Sequence, residues 1–483
     1  MNIEVLGIVP SNEFEGKTYN PEQLAAVIAR YSRNKEGLEA VDKIAREAKN
    51  PNKIFNFLTF GHSSIAEISG MIPVVLDEIS ILEIYTIFQH MYVYSAMESS
   101  TRYINYENTS VLSTEEIGIS NPDEIEQYNL FISYAIEAYK TAIESYTEKA
   151  KEEQFDETDE KKLKKLRKNY VLDRVRYYLP VTAKTSAVIL STPRQWSEVI
   201  KILKSFQLQV FSNLAIEIEN NLKKVVPNLI RHTEPDFISK LTYSRILADE
   251  SSLIMHDGVG ITELDWSVSL NSNKKQLNNT LQEVVEDIFE LNTKQKNTQR
   301  AGLKSTLKLI IDNYIDRNNN DKNFKDMLGI MTKYRNNRYD ILDPYLDSVA
   351  TQYSFHNISI GIARDCNRHR SGGRTFSFHM KGLKLPDNIN NKMEINHNRF
   401  IKSYMKLMTM FATSNLHYFS MVLGTQCDLV RSNTLRKTIY ACEIRTGAGT
   451  NFEYARIYKK LAEMIMDKYN VKVIIGGSEP EPI

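Results

Sequence analysis

The densest cluster of chemically capable residues is Arg364-Asp365-Cys366-Asn367-Arg368-His369-Arg370, with Arg374 close behind. A helix over Ile360–Arg368 would make Arg364 and Arg368 i,i+4 neighbours, which repel each other. Beside an apolar segment such a stack calls for an anion between the guanidiniums, because arginine forks match phosphate oxygens two at a time. Gly372-Gly373, just after the cluster, lets the backbone come close to a ligand. The alternative is a surface arginine cluster paired with nearby carboxylates, and residue types alone weigh the two equally.

A second cluster is Ser95-Ala96-Met97-Glu98-Ser99-Ser100-Thr101-Arg102-Tyr103. In extended backbone Glu98, Ser100 and Arg102 alternate onto one face. A carboxylate, a hydroxyl and a cation side by side suit a sugar-phosphate. Serines before a helix are more often caps, and that is the reading residue types favour here. Two weaker clusters follow. Gly61-His62-Ser63-Ser64-Ile65-Ala66-Glu67 has the form of a helix start, where a lone histidine is more often structural. Asn433, Arg436, Arg445, Asn451, Glu453 and Arg456 dot a helical stretch; Arg436 and Arg445 fall on different helix faces unless the chain turns between them.

The elements that must position these residues are legible in outline. The N-terminus reads as a strand, Pro21 opens a helix through Glu22–Arg33, and a second helix covers Gly37–Lys49. Ile68–Ile81 reads as a buried strand. Ser120–Asn169 is helical and carries KEEQFDETDEKKLKKLRK, whose mixed charges predict a solvated helix–helix junction rather than a phosphate site. Asn271–Asn323 is a polar helical region. Each half has an apolar segment followed at once by a polar cluster, Met71–Tyr106 and Tyr353–Met380. That echo predicts two related units, 1–240 and 241–483, in an α+β fold in which each unit is a twisted, mainly antiparallel sheet flanked by helices.

The chain has 483 residues, with 61 Lys+Arg against 60 Asp+Glu and a net charge of +1. Near-neutrality argues against extended nucleic-acid contact. The 42% hydrophobic and 25% charged residues describe a globular chain. No apolar run reaches the roughly 18 residues of a membrane helix, and the N-terminus lacks a signal-peptide pattern. Cys366, Cys427 and Cys442 have no zinc spacing and make no disulfide framework. A reducing, cytoplasmic location is the expectation. No P-loop, G-x-G-x-x-G, H-E-x-x-H or G-x-S-x-G motif is present.

Taken together the clusters resemble the flavin-dependent thymidylate synthase family, whose signature is R-Q-x-x-R-H-R-x-x-S-x-x-E-x-S-x-R-Y with upstream A-R-x-S and G-H-x-S-x-x-E elements. Here the pattern is divided between the halves. The first has Ala29-Arg30-Tyr31-Ser32, then Gly61 to Glu67, then Glu98-x-Ser100-x-Arg102-Tyr103, but His90, Met91 and Tyr92 stand where Arg-His-Arg belongs. The second has Arg364-Asp365-x-x-Arg368-His369-Arg370, but Phe376, Phe378 and Met380 replace the Glu-x-Ser-x-Arg part. A late Asn433, Arg436, Arg445 and Asn451-x-Glu453 pattern also resembles the family. The complementarity of the halves suggests a tandem-duplicated, diverged form, because in the family one chain supplies the Arg-His-Arg side and a neighbour the Glu-x-Ser-x-Arg side.

The resemblance implies reductive methylation of dUMP to dTMP with methylene-tetrahydrofolate as carbon donor, FAD as cofactor and NADPH as reductant, in a homodimer that mimics the family tetramer. Carried over residue by residue, Ser32, His62, Arg368, His369, Arg370, Arg445 and Asn451 would hold FAD. Glu98, Ser100, Arg102, Arg364, Asp365, Arg436 and Arg456 would bind the nucleotide, with Ser100 and Arg368 nearest the chemistry. Asp365 departs from the family's glutamine. An ionised carboxylate only accepts hydrogen bonds, so the accepted base is open to being cytosine, with dCMP methylated or hydroxymethylated at C5. A non-catalytic flavin- or nucleotide-binding protein is the remaining alternative.

Overall fold

The computed structural model describes residues 1–5, 13–14, 17–18, 22, 25, 64–67, 70–91, 95–206, 208–235, 258–263, 266–271, 321–333, 335, 338, 342–369, 371–412, 414–447 and 450–476. Ala29–Ser32, His62, Arg370, the helix expected over Gly37–Lys49 and nearly all of those expected over Glu22–Arg33 and Asn271–Asn323 lie outside them.

In chain order the elements are β1 (Asn2–Val5), the two-residue strands β2 (Glu13–Phe14) and β3 (Lys17–Thr18), α1 (Ser64–Glu67), β4 (Ile72–Ser80), α2 (Ile81–His90), β5 (Ser95–Glu98), α3 (Thr114–Ile117), α4 (Pro122–Glu152), α5 (Glu160–Val175), β6 (Lys184–Ser191), α6 (Pro193–Ser205) and α7 (Gln209–Val225). There follow β7 (Gly258–Glu263), β8 (Trp266–Asn271), α8 (Asp321–Lys333), β9 (Ala350–Ser359), α9 (Ile360–Cys366), β10 (Gly373–Leu383), α10 (Asn391–Phe411), β11 (Thr425–Thr434), α11 (Leu435–Arg445) and α12 (Phe452–Tyr469). One sheet has the order β1-β4-β6-β5, another β10-β11-β9-β8-β7, and β2 pairs with β3. Antiparallel sheets with helices after the strands make the fold α+β. No helix among the described residues is long and apolar enough to cross a membrane.

Two sequence motifs recur with their backbone geometry. Ser80 caps α2 and Ser359 caps α9, each accepting from the third backbone N–H beyond it. Two residues before each cap stands a non-glycine with left-handed φ, Glu78 and Asn357, both at 55°. Thr192 and Thr434 likewise cap α6 and α11. The inner order β4-β6-β5 has the same connectivity as β9-β11-β10.

Contacts divide the chain into two compact units that are not consecutive halves: residues 1–253, 359–370 and 376–427 form the first, and 254–358, 371–375 and 428–483 the second. Compactness and sequence echo thus partition the chain differently. In the first unit the expected strand over Ile68–Ile81 is β4, whose Ile72, Val74 and Leu76 point inward. Within this strand Pro73 stands opposite Leu190 of β6. The polar run between α4 and α5 is the expected junction. Asn121 caps Asp123 N–H at 2.9 Å with Pro122 at the first turn, and Asp159 caps Lys162 N–H at 2.9 Å. Helix α4 packs on α10 through Phe131 against Phe400 and Tyr404, and Gln127 Nε2 donates to Ser403 Oγ at 2.9 Å. The segment before β6 zips onto the segment before β11: Leu423 N–H donates to Leu179 O at 2.8 Å and Gly424 N–H to Tyr177 O at 3.0 Å.

In the second unit the hairpin β7–β8 pairs with β9 from Ser267 opposite His356 to Asn271 opposite Gln352. Arg335 forks the buried Glu443 at 2.6 and 2.7 Å. Gly372, at φ 81°, lies so close to the Ser432 carbonyl that a Cβ would overlap it. The close approach foreseen for Gly372-Gly373 is therefore to β11 backbone, not to a ligand.

Glu83 closes the capping box of α2, accepting from Ser80 N–H and Oγ at 2.7 Å each. Burial pushes its pKa up to about 7, against the opposing pull of the Ser80 hydrogen bonds. A raised acid stabilises the fold below its unfolded value near 4.5 and loses that contribution as pH climbs toward 7. The gap corresponds to roughly 3 kcal/mol. Thermal melts from pH 4.5 to 8 are expected to show this loss in the wild type and not in Glu83→Gln; parallel curves for the two proteins would refute it.

Candidate functional site

The arginine block and the Ser95–Tyr103 block meet inside the first unit. Helix α9, capped by Ser359 and buried along its whole length, carries Arg364 inward at 3% exposure. Its Nε and Nη2 donate to Glu98 Oε1 at 2.8 and 2.5 Å, Nη2 also to Ser99 O at 3.0 Å, and Nη1 to Thr101 Oγ1 at 3.1 Å. One guanidinium therefore spans the end of β5 and the turn beyond it. The geometry of that turn differs from the extended backbone expected. Strand β5 stops at Glu98, and Ser100 Oγ accepts from Arg102 N–H at 3.2 Å, so the hydroxyl caps a turn rather than a helix. Arg102 leaves the Glu98 face and forks Asp173, Nε to Oδ1 at 2.6 Å and Nη2 to Oδ2 at 2.8 Å, with both side chains buried.

Helix α9 also ends earlier than Arg368, so the Arg364–Arg368 stack does not form. Asp365 stands between cations instead. Arg176 Nη2 donates to its Oδ2 at 3.0 Å, and Arg368 approaches its Oδ1 at 3.4 Å. Burial pushes the Asp365 carboxyl upward, but Arg176 foremost, then Arg368, Arg102 and Arg364, hold it well below the ordinary carboxylate range. It is an anion at any physiological pH. Arg176 is 1% exposed and has a buried Nε with no partner among the described residues. Among the described residues, four guanidiniums (Arg102, Arg176, Arg364, Arg368) thus meet three carboxylates (Glu98, Asp173, Asp365), a positive surplus. The half-exposed Arg368 carries the surplus charge and the buried Arg176 Nε is a spare donor beside it, a pairing that suits an anionic ligand, since a buried donor without a partner is costly.

Glu98, Ser100, Arg102, Arg364, Asp365 and Arg368 belong to this cluster. His369, half-buried, donates its backbone N–H to Cys366 O at 3.1 Å. The other described candidates lie in the second unit. Arg436 Nη1 donates to Asp347 at 2.9 Å at the surface, Arg445 lies 5.4 Å from the Tyr454 ring, Asn451 caps α12 through Tyr454 N–H at 3.1 Å, and Arg456 is exposed. Residues missed from sequence are Thr101, Asp173 and Arg176. The run Asp173-Arg174-Val175-Arg176 inside VLDRVRYYLP offered the signal, because charges so embedded in apolar sequence must be paired when buried. Among the described residues no cluster of His, Cys, Asp and Glu has the form of a metal site.

Against this geometry, residues 15–228 match the family model described as thymidylate synthase complementing protein. The match covers less than half of the chain. That stretch holds the Glu98–Arg102 turn, Asp173 and Arg176. One solved structure, flavin dependent thymidylate synthase ThyX from Helicobacter pylori complexed with FAD and dUMP, is 17% identical, with 48% of this chain and 100% of that chain covered at a TM-score of 0.26. No curated protein matches. The matched stretch contributes the turn and the 3-10 segment Arg176–Tyr178, while Arg364, Asp365 and Arg368 come from outside it.

Removing one partner of a buried ion pair strands the other charge, at a cost of about 3–5 kcal/mol. Asp173→Ala is expected to lower unfolding free energy by that amount in urea denaturation, and Asp173→Asn by less because one oxygen still accepts from Arg102. A loss under about 1 kcal/mol, the range of exposed pairs, would show that the fork is not buried in solution.

Proposed function

We infer that the arginine cluster binds a pyrimidine deoxynucleotide monophosphate beside FAD, and that the protein methylates dUMP to dTMP with methylene-tetrahydrofolate as carbon donor and NADPH as reductant. The observation that supports this most is the seat of Arg364 on Glu98, Ser99 and Thr101, which joins the two half-signatures in one compact unit. The recurring caps, left-handed residues and strand order support a tandem duplication in which each copy kept one half of the signature. The resemblance extends this to a homodimer that imitates a tetramer.

The donor set fits FAD. The Arg368 guanidinium is 34% exposed and touches Asp365 only at 3.4 Å, which leaves donors for a diphosphate, with His369 half-buried beside it. Ser32, His62 and Arg370 belong to the same proposal through the resemblance, as do Arg445 and Asn451, with Arg436 and Arg456 on the nucleotide side. When bound, reduced FAD supplies the hydride. The protein's own contribution is electrostatic and orienting. Arg102 and Arg176, anchored by Asp173 and Asp365, present positive charge to a phosphate without reorganising. Ser100 holds its hydroxyl in a fixed turn beside them. Cysteine nucleophiles have no part in it: Cys366, Cys427 and Cys442 are buried, and burial pushes the Cys442 thiol far up, away from the reactive thiolate.

One observation keeps dCMP as a second substrate reading. Asp365 is held ionised between Arg176 and Arg368 and so can only accept, which suits the amino group of cytosine as well as uracil N3–H.

The purified protein is expected to carry a flavin absorbance band, and Arg368→Ala to lose most of it. Tritium release from C5-labelled nucleotide, with folate donor and NADPH, is expected with dUMP, with dCMP, or with both. A colourless protein that takes up no flavin, with no release from either nucleotide, would favour the non-catalytic alternative.

A further inference from the structure

Helix α5 carries charge that the site does not use. Lys161, Lys164, Lys165 and Lys168 stand at i, i+3, i+4 and i+7, so they form one stripe, and all four are exposed. At ~1.5 Å per residue the stripe is about 10 Å long. Like charges at these spacings destabilise a helix, so helix stability does not account for them. The acids just before α5 do not neutralise the stripe. Asp159 is the cap, and Glu157 accepts from the backbone N–H groups of Thr158 and Asp159 at 3.0 Å and pairs with Lys162, which lies off the stripe. Glu160 has the i−4 spacing to Lys164 alone. Among the described residues no ion pair involves Lys161, Lys164, Lys165 or Lys168.

The stripe leads to the site. Lys165 Nζ lies 5.8 Å from the ring centroid of Tyr103, which is 42% exposed and next to Arg102. The last turns of the same helix supply Asp173, which forks Arg102. A ligand lying over Tyr103 can therefore continue along a row of cations.

We propose that this stripe binds the poly-γ-glutamate tail of the folate co-substrate. The proposal rests on the functional reading above, which supplies the folate. A γ-linked glutamate chain carries one α-carboxylate per residue, a flexible row of anions for a row of ammonium groups. Because the chain's net charge is only +1, the attraction is local to this face, unlike that of a nucleic-acid wrapper.

The test uses the full-length protein. Pentaglutamyl and monoglutamyl methylene-tetrahydrofolate are compared as substrates, and pentaglutamyl and monoglutamyl folic acid as ligands by titration calorimetry, for the wild type and the K161Q/K164Q/K165Q/K168Q variant. The wild type is expected to prefer the pentaglutamyl form about tenfold or more, at exposed-pair energies of a few tenths of a kcal/mol for each lysine. The variant is expected to lose the preference with its monoglutamyl constants and nucleotide affinity unchanged, and the wild-type preference to shrink with added salt. An equal preference in both proteins overturns the proposal, as does tighter retention of a single-stranded RNA than of the pentaglutamyl ligand. The calorimetric arm decides the matter even without turnover, so the loss of the synthase reading and the loss of the stripe are told apart.

Discussion

A guanidinium cannot be taken out of water unless its donors and its charge are answered together. At Arg364 the answer comes from one short stretch of chain, with Glu98 giving the charge and Ser99 O and Thr101 Oγ1 the remaining acceptors. The backbone must therefore turn just after β5, which is why Arg102 swings to Asp173 instead of continuing the strand's alternation. Arg102 in turn fixes the end of α5 through Asp173, and Arg176, the residue after Val175, holds the Asp365 carboxylate. The whole cluster is a chain of mutual obligations in which removing any charge leaves another exposed to a low dielectric.

The fold was partly legible because its strongest signals are local. The buried strand Ile72–Ser80 was legible, within Ile68–Ile81, as apolar runs around Pro73, and Ser120–Asn169 was legible as helical; the caps at Asn121 and Asp159, which satisfy orphan N–H groups and divide that stretch into two helices, were not read. The end of α9 was not legible. Asp365 and Arg368 suit either a helix or the turn that follows one, and only the contact with Arg176, far away in sequence, decides where the helix stops being useful. Arg176 itself was invisible as a site residue for the same reason, since its partner lies 189 positions on.

The candidate site shows the same limit. Glu98, Ser100 and Arg102 were legible as a polar group, but their common face depended on extended backbone, and a serine before a polar turn caps whichever N–H the tertiary structure leaves open. Gly372-Gly373 had a correct physical reading, close backbone approach, with the wrong partner, because sequence does not say whether a ligand or strand β11 arrives. The lysine stripe of α5 was read as solvated, which its exposure matches. Its position beside Tyr103 and Arg102 gives that exposure a use.

The account stands on the coupling between Arg364 and the end of β5, and a double-mutant cycle measures that coupling directly. Unfolding free energies of the wild type, Glu98→Gln, Arg364→Met and the double variant, taken from urea denaturation, isolate the pair. A coupling of about 2 kcal/mol or more is the predicted result, with the double variant less damaged than the two single losses together. Additivity to within about 0.5 kcal/mol would contradict the account, because the two blocks would then not hold each other in solution.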